Sequence, residues 1–448
     1  MKTSVVLLLC VLLFLSLSPY SMAADSSNCI TKDEAIADVN QFFETLQRVH
    51  PDLLAKVDVE DYIKLKQQTL DDIGKQLDQD GKISVNDLAY ILCYAGAFFG
   101  DGHTSVYWGY GSNESNTEGK MFPPFLLGYD NGRFVVTALS NKSMEGLEVL
   151  SVNGEPIREF LRPIMDRISG ETFAWKAACF INMQPFWYCF SGLFDSYKSL
   201  ALKLQDVQGK QSEQKVDTVS FADFQKLISD ISATKPDQPR EQGTRVSFLD
   251  SDRIAYFIYP YFSFNDDEKK KIDGIFKEIE SKKSQDLIID IRGNGGGTSN
   301  MGDFIFRYLR EDEFPSTSKI RTKVSRDILS SSYTKFMEQV IGAEAAGQYS
   351  EYLNKKFAGL EGVVVTDYIE DETERVALSD LGKGEPVSKL KGFFSGRIFL
   401  LVDNGTFSSA SMFATTFRDY GVGKILGYET GGVPVSYTHL TLPTTPYV

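Results

Sequence analysis

An α/β fold is predicted for this chain, preceded by a helical segment and a small β module, and three patterns carry the prediction. From residue 244 onward, short unbroken apolar runs alternate with stretches of helical spacing. Residues 30–99 set apolar side chains at helical spacing, and residues 122–167 switch to short strand-like runs. Continuous apolar strands separated by helices imply a sheet covered on both faces. At 448 residues the chain exceeds one ordinary domain, so two or three are expected.

The elements follow in order. Lys2, the apolar run 5–17 and the small-residue stretch Ser21-Met22-Ala23 have the form of a secretory signal peptide, so residues 1–23 are expected to be removed on export to a bacterial periplasm or the medium. A short membrane anchor is the competing reading, but the run is short for a bilayer span. With the signal removed, no integral membrane segment is expected. Residues 24–119 should be a helical domain, its apolar faces carried by Ala35, Val39, Phe42, Phe43 and Leu46, then by Tyr62, Leu65, Leu70 and Ile73, then by Leu88, Ile91, Leu92 and Ala95. Within it, Asp78-Gln79-Asp80-Gly81-Lys82-Ile83 looks like half a calcium loop. Gln76 and Asp87 would be poor ligands at its ends, so a helix-connecting turn is preferred.

Residues 120–170 hold strand-like runs at 125–127 and 134–136, a strand at 147–152 entering an Asn153-Gly154 turn, and a helical stretch at 157–168. Residues 171–243 are read as a connecting region. Its aromatic stretch from Trp175 to Phe194 suits core or domain contact better than a ligand box. A hairpin about Gly209 and a short helix at 221–231 complete it. The α/β domain spans 244–434, with strands at 254–258, 287–290 and 398–402, helices at 266–281, 301–310 and 412–420, and a helical, charged insertion at 311–393.

The formal net charge is −14 and the pI about 4.9. An acidic surface repels phosphate backbones, so nucleic acid is excluded as an expected partner. Apart from Cys10 in the signal, four cysteines remain: Cys29, Cys93, Cys179 and Cys189. None has metal-finger spacing. In an oxidising compartment Cys179 with Cys189 is the local pairing to expect, with buried free thiols the alternative.

Three segments carry chemistry. Asp290-Ile291-Arg292-Gly293-Asn294-Gly295-Gly296-Gly297 joins a strand to a helix. It lacks the lysine of a phosphate loop and does not fit a dinucleotide turn; an oxyanion-binding turn or a plain tight turn remains. Gly405-Thr406-Phe407-Ser408-Ser409-Ala410-Ser411 sits at a second strand-to-helix junction. A serine there exposes its hydroxyl at the end of the sheet beside a free helix N–H, although serine is also a preferred helix cap. Phe99-Gly100-Asp101-Gly102-His103-Thr104-Ser105 presents one of only three histidines in a glycine-flanked loop. His50, before Pro51, reads as structural.

In this order, the Asp-Gly-His-Thr loop, the small β module, the Asp-x-Arg-Gly-Asn-x-Gly-Gly turn, the Thr-x-Ser block and Gly427-Tyr428-Glu429-Thr430-Gly431-Gly432 resemble the C-terminal-processing (tail-specific) serine peptidases, in their tricorn-like and retinoid-binding-protein-like branch. The resemblance covers most of the mature chain. It implies a ClpP/crotonase-like α/β sandwich and a PDZ-like module at 120–170 able to take an extended peptide by strand addition. It places the nucleophile at Ser408, with Ser409 as backup, and the oxyanion donors at the N–H groups of Ser409 and Gly296. The lysine used by the tail-specific branch would fall at Val433, which cannot act as a base. The tricorn-like branch uses a histidine from the Asp-Gly-His-Thr loop, so His103 is expected as general base and then acid. A third, acidic residue should orient the imidazole; Glu429 and Asp419 are candidates by sequence reach, with the true one expected farther downstream. No metal or organic cofactor is implied, and the substrate would be a peptide or protein. A non-catalytic peptide- or apolar-ligand-binding protein of the same fold, or a serine hydrolase acting on non-peptide esters, are the alternatives.

Residues 435–445 read as a translated transposase adaptor from a sequencing library. On that reading residues 435–448 are foreign, His439 has no functional meaning, and the natural sequence departs near Pro434.

Overall fold

Three of the strands expected after residue 244 come together with two others in one five-stranded sheet, in the spatial order Arg245–Leu249, Ile254–Ile258, Asp286–Asp290, Arg397–Val402, Lys424–Gly427. The first pair is antiparallel and the rest are parallel. The computed structural model describes residues 29–106, 117, 119–139, 142–234, 243–263, 265–310, 319–341, 343–368 and 394–432. The signal segment, Val433 and the adaptor-like tail therefore lie outside the described residues, as do parts of the linker and of the insertion. The described residues divide into two compact units, one holding residues 42–55 and the chain from Gly243 onward, the other 56–242 with the stretch before Phe42.

In the first unit the register aligns Ala255, Leu287 and Ile398, and then Phe257, Ile289 and Leu400, across the three central strands. All six are buried. They share one core with Ile272, Phe276 and Ile279 of the helix Asp266–Lys282, Met301 and Ile305 of Ser299–Phe306, and Phe413 and Phe417 of Ser409–Asp419. Each fully buried large side chain contributes about 1.5–3 kcal/mol. The alternate residues Tyr256, Ile288 and Phe399 are half-buried, so the expected complete cover on both faces holds on one face only. Strand alternation explains this: one face meets the helices, the other only partial cover. The insertion contains an antiparallel pair, Lys319–Lys323 with Val364–Tyr368, around the helices Ser331–Ile341 and Ala343–Phe357. Arg48 pairs with Asp327 at 2.7 Å. His50 is buried, its Nδ1 accepting from the Asp52 N–H at 3.0 Å, which is the structural role expected of it.

In the second unit the helices Val59–Lys75 and Val85–Ala97 flank the short antiparallel pair Cys29–Thr31 and Lys82–Ser84. The suspected half calcium loop is a turn: Asp78 Oδ1 accepts the N–H groups of Asp80 and Lys82 at 2.9 and 2.8 Å, and Gly81 takes φ +73°. An antiparallel sheet runs Phe125–Asp130, Arg133–Leu139, Glu148–Val152, Ser199–Gln205, Gln211–Asp217, with Glu155–Pro156 beside the third strand. Asn153 and Gly154 turn with φ 52° and 84°, the left-handed pair an Asn-Gly turn supplies. The sheet takes its last two strands from the hairpin about Gly209, so the β module extends into the stretch read as connecting. The aromatic stretch forms the helices Phe173–Asn182 and Gln184–Ser191, with Phe180, Trp187 and Tyr188 in the core. Cys29, Cys93, Cys179 and Cys189 are all free thiols, so the expected Cys179–Cys189 bridge is not formed. Cys179 and Cys189 pack instead, part-buried, against that aromatic core.

Candidate active site

Three loops gather at the carboxyl ends of the parallel strands, where α/β sheets carry their sites. They follow Ile258, Asp290 and Val402. Asp290 opens the glycine turn. Burial would push its carboxyl up, but Arg292, bonded to both of its oxygens, and the Tyr256 hydroxyl outweigh that and hold it below the usual carboxylate range.

Asn294 ties the loops together. It is fully buried. Its Nδ2 donates to Tyr259 O at 2.8 Å, its Oδ1 accepts the Gly296 N–H at 2.9 Å, and its carbonyl accepts the Phe407 N–H at 2.9 Å. Asp403 adds a second tie: Oδ1 accepts the Gly293 and Gly405 N–H groups at 2.7 and 3.0 Å. Thr406 is buried and donates to Ile291 O at 3.1 Å. The sequence reading missed Asn294 and Asp403, since an Asn among glycines and an Asp before a turn look like local turn formers.

Two glycines are required for contact. A Cβ on Gly297 would stand 2.1 Å from Phe262 O, and one on Gly296 would stand 2.7 Å from Ser408 Cβ and 2.9 Å from Ser409 N. Gly296 and Gly297 also take φ +103° and +136°, which side chains resist. The turn thus lies directly under the serine block.

Ser408 precedes the helix Ser409–Asp419 with φ 53° and ψ −125°. This region costs a non-glycine residue about 1–3 kcal/mol. Ser408 makes no side-chain cap, so the capping explanation of the serine run fails at this position. Ser409 N–H, at the first helical position, has no intrahelical acceptor. The Ser409 hydroxyl donates to Gly297 O at 2.7 Å and is buried; the Ser411 hydroxyl donates to Thr406 O at 2.9 Å. Gly296 N–H, the other expected oxyanion donor, bonds Asn294 Oδ1 in this structure. Asp419 lies at the far end of the serine helix, exposed, with Arg418 2.8 Å from its carboxylate, some 15 Å along the axis by helical rise. Glu429 is exposed, and its carbonyl accepts from Asn404 Nδ2 at 2.7 Å.

His103 belongs to the other unit. Its loop follows the helix Val85–Ala97 and is turned by Gly100 at φ +59°, whose carbonyl accepts Lys56 Nζ at 2.9 Å. Asp101 is buried; its Oδ1 accepts the His103 N–H at 3.0 Å and its Oδ2 the Thr104 hydroxyl at 2.5 Å. His103 Nδ1 lies 3.6 Å from Asp101 Oδ1. Glu171, remote in sequence, completes the cluster: one donor atom from each of Asp101, His103 and Glu171 lies within 4.8 Å of the others. Burial raises the Glu171 carboxyl above its ordinary value, against the N–H groups of Glu171 and Gly102 that lower it; Asp101 raises it further and His103 lowers it. These three side chains are also the grouping among the described residues with donors suited to a metal ion. No pattern in the sequence announces Glu171.

Residues 253–446 match the family model of peptidase family S41. No curated protein sequence matches the chain. The fold is similar to that of mature CPAF complexed with lactacystin, at 14% identity over 90% of this chain and 85% of that one with a TM-score of 0.55. It is also similar to mature CPAF alone, at 14% identity over 89% and 84% with a TM-score of 0.51. At that identity the likeness concerns the fold. The glycine turn and the serine elbow lie inside the matched residues, so residues 253–446 carry the sequence of a serine-type peptidase domain of family S41.

Proposed function

We propose that this peptidase is an exported endopeptidase that cleaves peptide bonds through an acyl-enzyme on Ser408, with His103 as general base and then acid. The backbone of Ser408 carries the proposal. At φ 53° and ψ −125° the residue is strained, at a strand-to-helix turn, without the hydrogen bond that would make it a cap. Strain of this kind is kept where it presents a nucleophile. As Oγ bonds to the scissile carbonyl, its proton passes to the imidazole, which then gives it to the leaving amine. Water repeats the sequence in reverse and frees Ser408. Ser409 N–H receives the developing oxyanion. Gly296 N–H joins it if Asn294 Oδ1 yields its bond.

A fluorophosphonate probe with peptide mapping tests this. The expected result is label on Ser408, loss of label and peptidase activity in Ser408→Ala, and label kept in Ser409→Ala, whose hydroxyl is committed to Gly297 O. Removing His103 should lower activity by about 10²–10⁴-fold, the range of general acid–base catalysis. Peptide binding without labelling or turnover by wild-type protein would favour the binding-protein reading instead. Export is tested by fractionation, with cleavage expected after Ala23.

A further inference from the structure

We propose that Glu171 is the positioning residue that orients the His103 imidazole. The argument starts from what Asp101 does. Both of its oxygens are engaged by its own loop, Oδ1 by the His103 N–H at 3.0 Å and Oδ2 by the Thr104 hydroxyl at 2.5 Å. Its distance of 3.6 Å to His103 Nδ1 is too long for a hydrogen bond. Asp101 therefore shapes the loop and adds negative charge.

Glu171 is placed differently. It lies just ahead of the helix Phe173–Asn182, on an element independent of the histidine loop. Its Oε2 is buried and has no hydrogen-bond partner. A buried carboxylate oxygen without a donor costs stability. With the imidazole within 4.8 Å, a modest rotation of either side chain supplies that donor. A carboxylate oxygen on Nδ1–H or Nε2–H would fix which way the imidazole faces. Among the described residues, Asp101 and Glu171 are grouped with His103, and Lys56 is held on Gly100 O at the loop's turn.

The kinetic part of this inference rests on the Ser408–His103 mechanism; the titration part does not. The chain has three histidines, so histidine NMR on the full chain in a Ser408→Ala background, assigned by His103→Gln, follows the imidazole directly. Glu171→Gln should move the His103 midpoint to lower pH, and Glu171→Asp should move it less. In the Ser408 enzyme, Glu171→Gln should lower kcat at least tenfold with KM nearly unchanged, and shift the acid limb of kcat/KM the same way as the NMR midpoint. Glu171→Asp, which keeps the charge and the fold, serves if Glu171→Gln fails to fold. An unmoved midpoint in a folded variant overturns the proposal. So does a midpoint that responds only to added Zn2+ and returns with EDTA, which would make the cluster a metal site. A moved midpoint with unchanged kinetics keeps the contact but overturns the catalytic assignment of His103.

Discussion

Ser408 is where local conformation and chemistry meet. The helix behind it would prefer a capping serine with extended dihedrals, and Thr172 and Ser84 show that arrangement elsewhere, each accepting a helix N–H. Ser408 instead takes φ 53° with no cap bond, and the Cβ of Ser408 sits where only a glycine at 296 leaves room. The strain should be measurable. Ser408→Gly and Ser408→Ala both lack the hydroxyl, but glycine accepts the dihedrals and alanine does not. Denaturant unfolding should find Ser408→Gly the more stable by about 1–2 kcal/mol. Equal stabilities would mean that the elbow is unstrained. The identity of the serine was legible because a family order of motifs surrounds it; its dihedrals were not, since nothing local to a Ser-Ser pair demands them.

The elements that build the site are a strand end and the turn it feeds. Asp290 closes its strand and grips Arg292 and Tyr256. Its carboxyl is held below the usual range, so the charged form is favoured in the folded state. An unfolded Asp titrates at about 3.9, so this contribution is complete above about pH 4 and is lost as pH falls through the lower folded value. Asp290→Asn should therefore flatten the fall in stability below about pH 4 while lowering stability near neutrality by about 1 kcal/mol, since Arg292 is half exposed. A thermal-melt series against pH checks it, and an unchanged acid limb would remove Asp290 from the account. Strands and helices here were legible to within a few residues, because Leu287, Ile289, Ile398 and Leu400 form unbroken apolar runs. The ties through Asn294 and Asp403 were hidden, because each joins residues distant in sequence.

For the whole molecule, thiols give a test that needs no substrate. Cys29 is exposed and Cys93 is buried. Burial pushes the Cys93 and Cys179 thiols up to about 12, where almost no thiolate exists at neutral pH. A disulfide reagent should modify Cys29 quickly in the native protein and reach Cys93 only on unfolding. Reduction should leave the melting temperature unchanged, whereas losing a native bridge typically costs 2–5 kcal/mol. A melt that drops on reduction would restore the bridge expected from an exported chain. Among the described residues no helix is long and apolar enough to cross a membrane.

The sequence alone determined the α/β class, the helical segment and the Asn153-Gly154 turn, and it singled out Ser408 as the expected nucleophile. Each of these rests on periodicity, on a dihedral only certain residues adopt, or on motifs kept in order. The contacts that require Gly296 and Gly297 came with the tertiary structure. Tertiary structure decided the rest. It committed the Ser409 hydroxyl to Gly297, gave the Gly296 N–H to Asn294, left the cysteines unbridged, carried the β sheet into 199–217, and set Glu171 beside His103. Those outcomes depend on which distant segments pack together, and hydrogen bonds between such segments leave no periodic trace along the chain.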